Sequence, residues 1–153
     1  MREQAISEYQ LRTARPDDFS AIRKLLIRVE LPVEGVDESL ASFVVALADN
    51  RVIGTAGVER HGDYGLLRSV AVDPDWRGGR VGAAVVDRAI AGAQSNGMES
   101  LYLLTTTAEK YFLAFGFEMV KRDGVPEEIR TTSEFRDICP SAATVMRRSL
   151  RGA

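Results

Sequence analysis

The chain has 153 residues and 45% hydrophobic content, the size of one domain with a sizeable core, expected to extend over 1–153 with residues 1–8 flexible. Its 20 basic and 22 acidic residues leave a formal net charge of −2, so no global field favours nucleic acid or an anionic membrane, and any anion site must be local. One cysteine, one histidine, a polar and acidic N-terminus and no apolar run near the roughly 20 residues of a bilayer span point to a cytoplasmic protein without disulfides, metal site or membrane anchor.

Residues 9–14 read as a short strand, punctuated by Arg15-Pro16-Asp17-Asp18. Phe19, Ile22, Leu25, Leu26 and Val29 then recur at helical spacing, and Pro16 with two aspartates suits a helix start. A break at Pro32–Gly35 precedes a second, short helix over Val36–Ala41. Phe43–Ala48 and Val52–Glu59 read as strands joined by a hairpin turn at Asp49-Asn50-Arg51. A second turn, His61-Gly62-Asp63, leads into a strand over Leu66–Val72.

The next stretch, SVAVDPDWRGGRVGAAVVDRAI (Ser69–Ile90), changes character. An apolar strand meets Asp-Pro-Asp, passes two glycines and two arginines, and enters a helix of small residues that runs to about Asn96. A helix N-terminus presents unpaired N–H groups and a partial positive charge, glycines let those amides approach a ligand, and Arg77 and Arg80 add charge-assisted donors. Together they suit a diphosphate. The stretch is neither a Walker loop, which needs Gly-Lys-Ser/Thr, nor a dinucleotide fingerprint, which needs a third glycine. Taken alone, it is equally compatible with a flexible turn bearing solvent-facing arginines.

Gly97 caps that helix; a strand over Leu101–Thr105, a helix over Ala108–Phe115, Gly116 and a strand from Phe117 follow. The run PEEIRTTSEF reads as helical, and Ala143–Arg148 as a closing strand. A strand-rich first half and an alternating second half imply an α+β (mixed α/β) fold around one sheet.

VAVDPDWRGGRVGAAVV resembles the acetyl-CoA pyrophosphate loop of the GNAT N-acetyltransferase superfamily: Gln or Arg, two residues, Gly, one residue, Gly or Ala. Arg77 matches the first position and Gly82 the last, while Arg80 stands where the middle glycine is usual. A residue with negative φ at that position still presents its N–H, and Gly78 and Gly79 are the neighbours placed to supply the missing freedom. LYLLTTTAEKYFLAFGF resembles the family's next strand and helix. LLRSVAV, LYLLTTTAEKYF and TTSEFRDICPSAATVM look like the small arsenic-resistance-associated N-acetyltransferases related to the acetyltransferase domain of N-acetylglutamate synthases.

The resemblance implies a GNAT fold, with one mostly antiparallel, splayed sheet of six to seven strands and about four helices. It implies transfer of an acetyl group from acetyl-CoA to a primary amine of a small molecule, an amino acid or a glutamate-like, arsenic- or phosphorus-containing analogue. Alternatives are a protein or peptide N-acetyltransferase and a CoA-binding module without catalysis. A homodimer is compatible with the family.

By the same resemblance, the backbone of Val70, Ala71 and Val72 holds the pantetheine arm and thioester. Arg77, Gly78, Gly79, Arg80, Val81, Gly82 and Ala83 cradle the diphosphate, and Thr106 adds a hydroxyl beside the cofactor. Arg68, Ser69 and Thr105 are the candidates for contact with the acceptor, Arg68 lying two residues before Val70 and so on the same strand face. Glu59 is the candidate general base, its alternative being a solvated acid beside a turn. The family's usual tyrosine position before Gly-Phe holds Phe112; Tyr111, one residue earlier and about 100° around the helix, is the other catalytic candidate, with packing against the sheet the favoured role. Thr107 suits a helix cap, His61 a turn, Trp76 the base of the loop, and Cys139 a buried core thiol.

Overall fold

The computed structural model describes residues 8–137 and 143–151. The expected flexible lead thus falls almost wholly outside the described residues, as does the Cys139 assignment. Seven strands form a mixed sheet in the order β1-β2-β3-β4-β5-β7-β6: β1 (Gln10–Thr13), β2 (Phe43–Ala48), β3 (Arg51–His61), β4 (Tyr64–Val72), β5 (Ser100–Thr105), β6 (Glu118–Met119) and β7 (Thr144–Ser149). The α-helices among the described residues are α1 (Phe19–Arg28), α2 (Val81–Ser95), α3 (Glu109–Leu113), α4 (Glu127–Arg130) and α5 (Ser133–Asp137). None is long and apolar enough to cross a membrane. The chain divides into two compact units, one comprising residues up to Val58 with Ser69–Ala91, the other Glu59–Arg68 with Gly92 onward.

In the first unit, β1 pairs antiparallel with β2, and β2 with β3. Asp49 and Asn50 both take positive φ (52° and 63°), and Ala48 faces Arg51, so the hairpin closes on two residues. That pair of conformations gives the twist a tight hairpin requires, and Asp and Asn tolerate it. Gly57 faces Phe43, and a Cβ there would enter the Phe43 ring. A Cβ on Gly54 would lie 2.6 Å from Cγ1 of Val81, the first residue of α2, so the bare backbone of β3 lets that helix start close to the sheet. Ile22, Leu25 and Leu26 of α1 are buried with Ala14, Val36, Phe43, Val45 and Ala71. The expected second helix is a 3-10 helix over Asp37–Ser42.

Ahead of α1, Asp18 accepts from the Arg15 N–H at 2.7 Å and from both terminal nitrogens of Arg12 at 2.7 and 3.1 Å. The hydrogen bond from Arg12 holds the Asp18 carboxyl below its ordinary value, and the Arg12 guanidinium rises in turn.

In the second unit, β5 pairs antiparallel with β7, and β7 with β6. The parallel ladder between β4 and β5 runs over Tyr64↔Ser100, Gly65↔Leu101 and Leu66↔Tyr102, and both strands continue beyond it. Leu66, Tyr102, Val125, Ile129, Phe135 and Val145 form the core cluster here. The run expected as one helix is two, because the Thr132 hydroxyl donates to the Ile129 carbonyl at 2.8 Å and accepts from the Phe135 N–H at 3.2 Å, closing α4 and capping α5. The strand expected from Phe117 is limited to two residues.

Candidate functional site

The first unit holds the proposed cofactor turn. β4 ends on Val72, and Asp73 begins a 3-10 turn over Pro74–Trp76. Asp73 is 3% exposed. Its carboxylate accepts from the Asp75 N–H at 2.9 Å and from Arg28 at 3.1 Å, with Arg51 at 3.5 Å, while its own N–H donates to the Ile53 carbonyl at 2.8 Å. One buried carboxylate therefore ties the entry of the turn to α1 and β3. No role is expected for Asp73 from the sequence, although Asp-Pro-Asp is the signal of an aspartate folding back on the backbone two residues on.

Trp76, half-buried, accepts from the Gly79 N–H at 3.4 Å, and the turn then projects Arg77, Gly78, Gly79 and Arg80 into an exposed position. Gly78 has φ 85°, and no described atom beyond its two chain neighbours lies within 4 Å of where its Cβ would be. Arg80 has φ 66°. The expectation of a negative φ at Arg80 is therefore corrected: the arginine itself adopts the left-handed conformation for which glycine is usual, and Gly79 does not share that role. The Ala84 N–H donates to the Arg80 carbonyl at 3.1 Å, which leaves the N–H groups of Val81, Gly82 and Ala83 at the unpaired helix start. Three amides, two exposed guanidiniums and open space above Gly78 fit a diphosphate in charge and donor chemistry.

Just before this turn, Ser69 also has a positive φ, 59°, inside a strand. A left-handed serine interrupts the two-residue alternation, so a common face for Arg68 and Val70 no longer follows from spacing. Ser69 and Ala71 are buried, and Val70 and Val72 are partly exposed. Nothing in the composition of LLRSVAV signals this kink.

The second unit holds a charged cluster. Glu59 is 9% and Arg68 3% exposed. Arg68 Nη1 donates to Glu59 Oε2 at 2.5 Å, and Nη2 lies 3.7 Å from Glu134 Oε1 on α5. His61 Nε2 lies 3.1 Å from Glu59 Oε1. Glu59 is thus not a solvated acid, and His61 is not merely a turn residue: it ends β3 two positions after Glu59, on the same strand face. The burial of Arg68 inside an apolar run demands a partner and could be read from sequence; that one partner would come from α5 could not, because it depends on the tertiary fold.

The remaining candidates stand around α3. The Thr105 hydroxyl accepts from the Ala108 N–H at 3.0 Å in the turn before α3, whose N-cap is Ala108 with no side-chain cap, so the cap expected of Thr107 is not made; Thr106 and Thr107 are exposed. Tyr111 is 42% exposed, and its ring meets those of Phe112 and Phe115 edge-on at 5.1 and 5.2 Å. At this exposure Tyr111 is less buried than expected, and its ring contacts lie within its own helix and the turn after it. Among the described residues, no group of three or more His, Cys, Asp or Glu is placed to hold a metal ion.

The family profile described as an acetyltransferase (GNAT) domain matches residues 39–119, more than half of the chain. The amino-acid acetyltransferase of Escherichia coli K12 is 29% identical over 130 residues, covering 79% of this chain. The chain spans 29% of the length of that relative. Among solved structures, N-acetylglutamate synthase from Neisseria gonorrhoeae, complexed with coenzyme A and N-acetyl-glutamate, superimposes with a TM-score of 0.81 at 22% identity, covering 94% of this chain and 35% of that one. Rv2747 from Mycobacterium tuberculosis, in complex with CoA, does so with a TM-score of 0.77 at 26% identity, covering 92% and 98%.

Proposed function

Because the chain belongs to the GNAT acetyltransferase domain family, we propose that it transfers the acetyl group of acetyl-CoA to the primary amine of a small molecule, an amino acid or amino-acid analogue. The observation that carries this reading is the turn from Arg77 to Ala83, where left-handed Gly78 and Arg80 lead two exposed arginines into the start of α2 with its unpaired amides. Bound there, acetyl-CoA supplies an acetyl group already activated as a thioester. The turn neutralises the diphosphate, and the backbone of Val70, Ala71 and Val72 holds the pantetheine arm.

Glu59 accepts the proton that the acceptor amine must shed, a contribution of about 10²–10⁴ in rate for a placed base. Arg68, held between Glu59 and Glu134, fixes the Glu59 carboxylate and brings a buried cation to the acceptor's own carboxylate, with Ser69 and Thr105 as further contacts. Tyr111, exposed and meeting the neighbouring rings edge-on, has the weakest case for a catalytic part, and water protonates the leaving thiolate. A glutamate-like acceptor agrees with the names of the relatives, and arsenic- or phosphorus-bearing analogues extend the same class. The working setting is a homodimer in the cytoplasm.

The test is release of free thiol from acetyl-CoA over a panel of amino acids, their arsenic and phosphorus analogues, and peptides. Turnover with free amino acids bearing a second carboxylate is expected. Turnover with peptides alone would make the protein a peptide acetyltransferase, and CoA binding without turnover over the whole panel would make it a binding module.

A further inference from the structure

We propose that His61 is the group through which the proton taken up by Glu59 returns to solvent. The inference rests on Glu59 as the general base and goes beyond it by naming the exit. The Glu59 carboxylate is engaged at both oxygens: Oε2 by Arg68 at 2.5 Å and Oε1 by His61 Nε2 at 3.1 Å. The Arg68 side chain is 1% exposed, and a guanidinium does not give up its proton. His61 differs on both counts. Its side chain is 31% exposed against 12% for Glu59, and an imidazole ring can both take up a proton at one nitrogen and release one from the other.

A base buried to this degree needs such an outlet, because each turnover leaves it protonated beside a fixed cation. In the first step an acceptor N–H bond breaks and a Glu59 O–H bond forms. In the second, with the ring hydrogen of neutral His61 on Nδ1 and the Nε2 lone pair facing Oε1, that O–H bond breaks and an N–H bond forms at Nε2 of His61. The imidazolium then releases a proton to water or buffer, which returns Glu59 to its ionised form. The charged groups around the pair come from four elements: Glu59 and His61 on β3, Arg68 on β4, Glu134 on α5 against Arg68 Nη2, and Glu128 on α4, whose Oε2 lies 3.9 Å from where a Cβ on Gly62 would stand. None of the others combines direct contact with Glu59, partial exposure and a ring that can both accept and donate a proton.

The experiment compares wild-type protein with His61→Gln and Glu59→Gln, in acetylation assays at low buffer concentration, with and without added imidazole. CoA binding and thermal unfolding of each variant are measured alongside. His61→Gln is expected to keep its CoA affinity and fold, to lose at least about tenfold in kcat, within the range of a lost proton-transfer group, and to regain rate in proportion to imidazole, to which wild-type protein is indifferent. An unchanged kcat in His61→Gln, or a loss that imidazole does not restore, overturns the proposal. Full activity in Glu59→Gln would instead remove the base assignment itself, an outcome distinct from failure at His61.

Discussion

Arg80 is the residue at which backbone and ligand demands meet. A side chain in the left-handed region costs about 1–2 kcal/mol for an ordinary residue, a cost glycine escapes. Arg80 bears it at φ 66° while placing a cation on the proposed diphosphate site. Two substitutions separate these effects, since Arg80→Ala and Arg80→Gly both remove the guanidinium but only glycine relieves the backbone. Arg80→Gly is expected to be more stable than Arg80→Ala by about 1 kcal/mol in urea unfolding, with both weakening CoA to a similar extent. Equal stability of the two would contradict a strained arginine. The motif position of Arg80 was legible in the sequence and its conformation was not, because φ there is set by how the turn enters α2. The same holds for Ser69, whose kink lies in an ordinary-looking strand.

At the scale of elements, the strands and helices with strong periodicity stand close to where the pattern puts them: β2 over Phe43–Ala48, the hairpin turn at Asp49-Asn50, and α2 ending at Ser95, two residues before the left-handed Gly97. The pattern fails where hydroxyl side chains compete for the backbone. Thr132 divides the expected helix into α4 and α5, and the Thr105 hydroxyl holds the Ala108 N–H in the turn where a cap by Thr107 is expected. The start of α1 offers a pH test. Asp18 is held below its ordinary 3.8, first by the Arg12 hydrogen bond. A carboxyl lowered on folding contributes stability that is present above its unfolded value and is lost as pH falls through the folded one. Asp18→Asn should therefore destabilise the protein at pH 7, and the gap to wild type should close as pH drops below about 3.8 in acid unfolding. A gap that stays constant across that range would show that the ion pair adds nothing.

Across the whole molecule, the two units share β3 and β4: each strand begins in one unit and ends in the other, changing over between Val58 and Glu59 and between Arg68 and Ser69. We take the chain to be one cooperative domain on this account, because neither strand can unravel in one unit without disturbing its continuation. Trp76, the single tryptophan, lies in the first unit, while far-UV circular dichroism reports on both. The two signals should give one coincident urea transition, and separate midpoints would divide the chain into two domains.

The central claim is that the turn from Arg77 to Ala83 binds the diphosphate of CoA, and calorimetric titration of CoA into wild-type protein, Arg77→Ala and Gly82→Val tests it most directly. Wild-type protein is expected to bind; Arg77→Ala should weaken binding by about tenfold, the value of one charge-assisted contact, and Gly82→Val should weaken it at least as much, each with an unchanged unfolding transition. No CoA binding by the wild-type protein, or equal affinity in all three, would contradict the account.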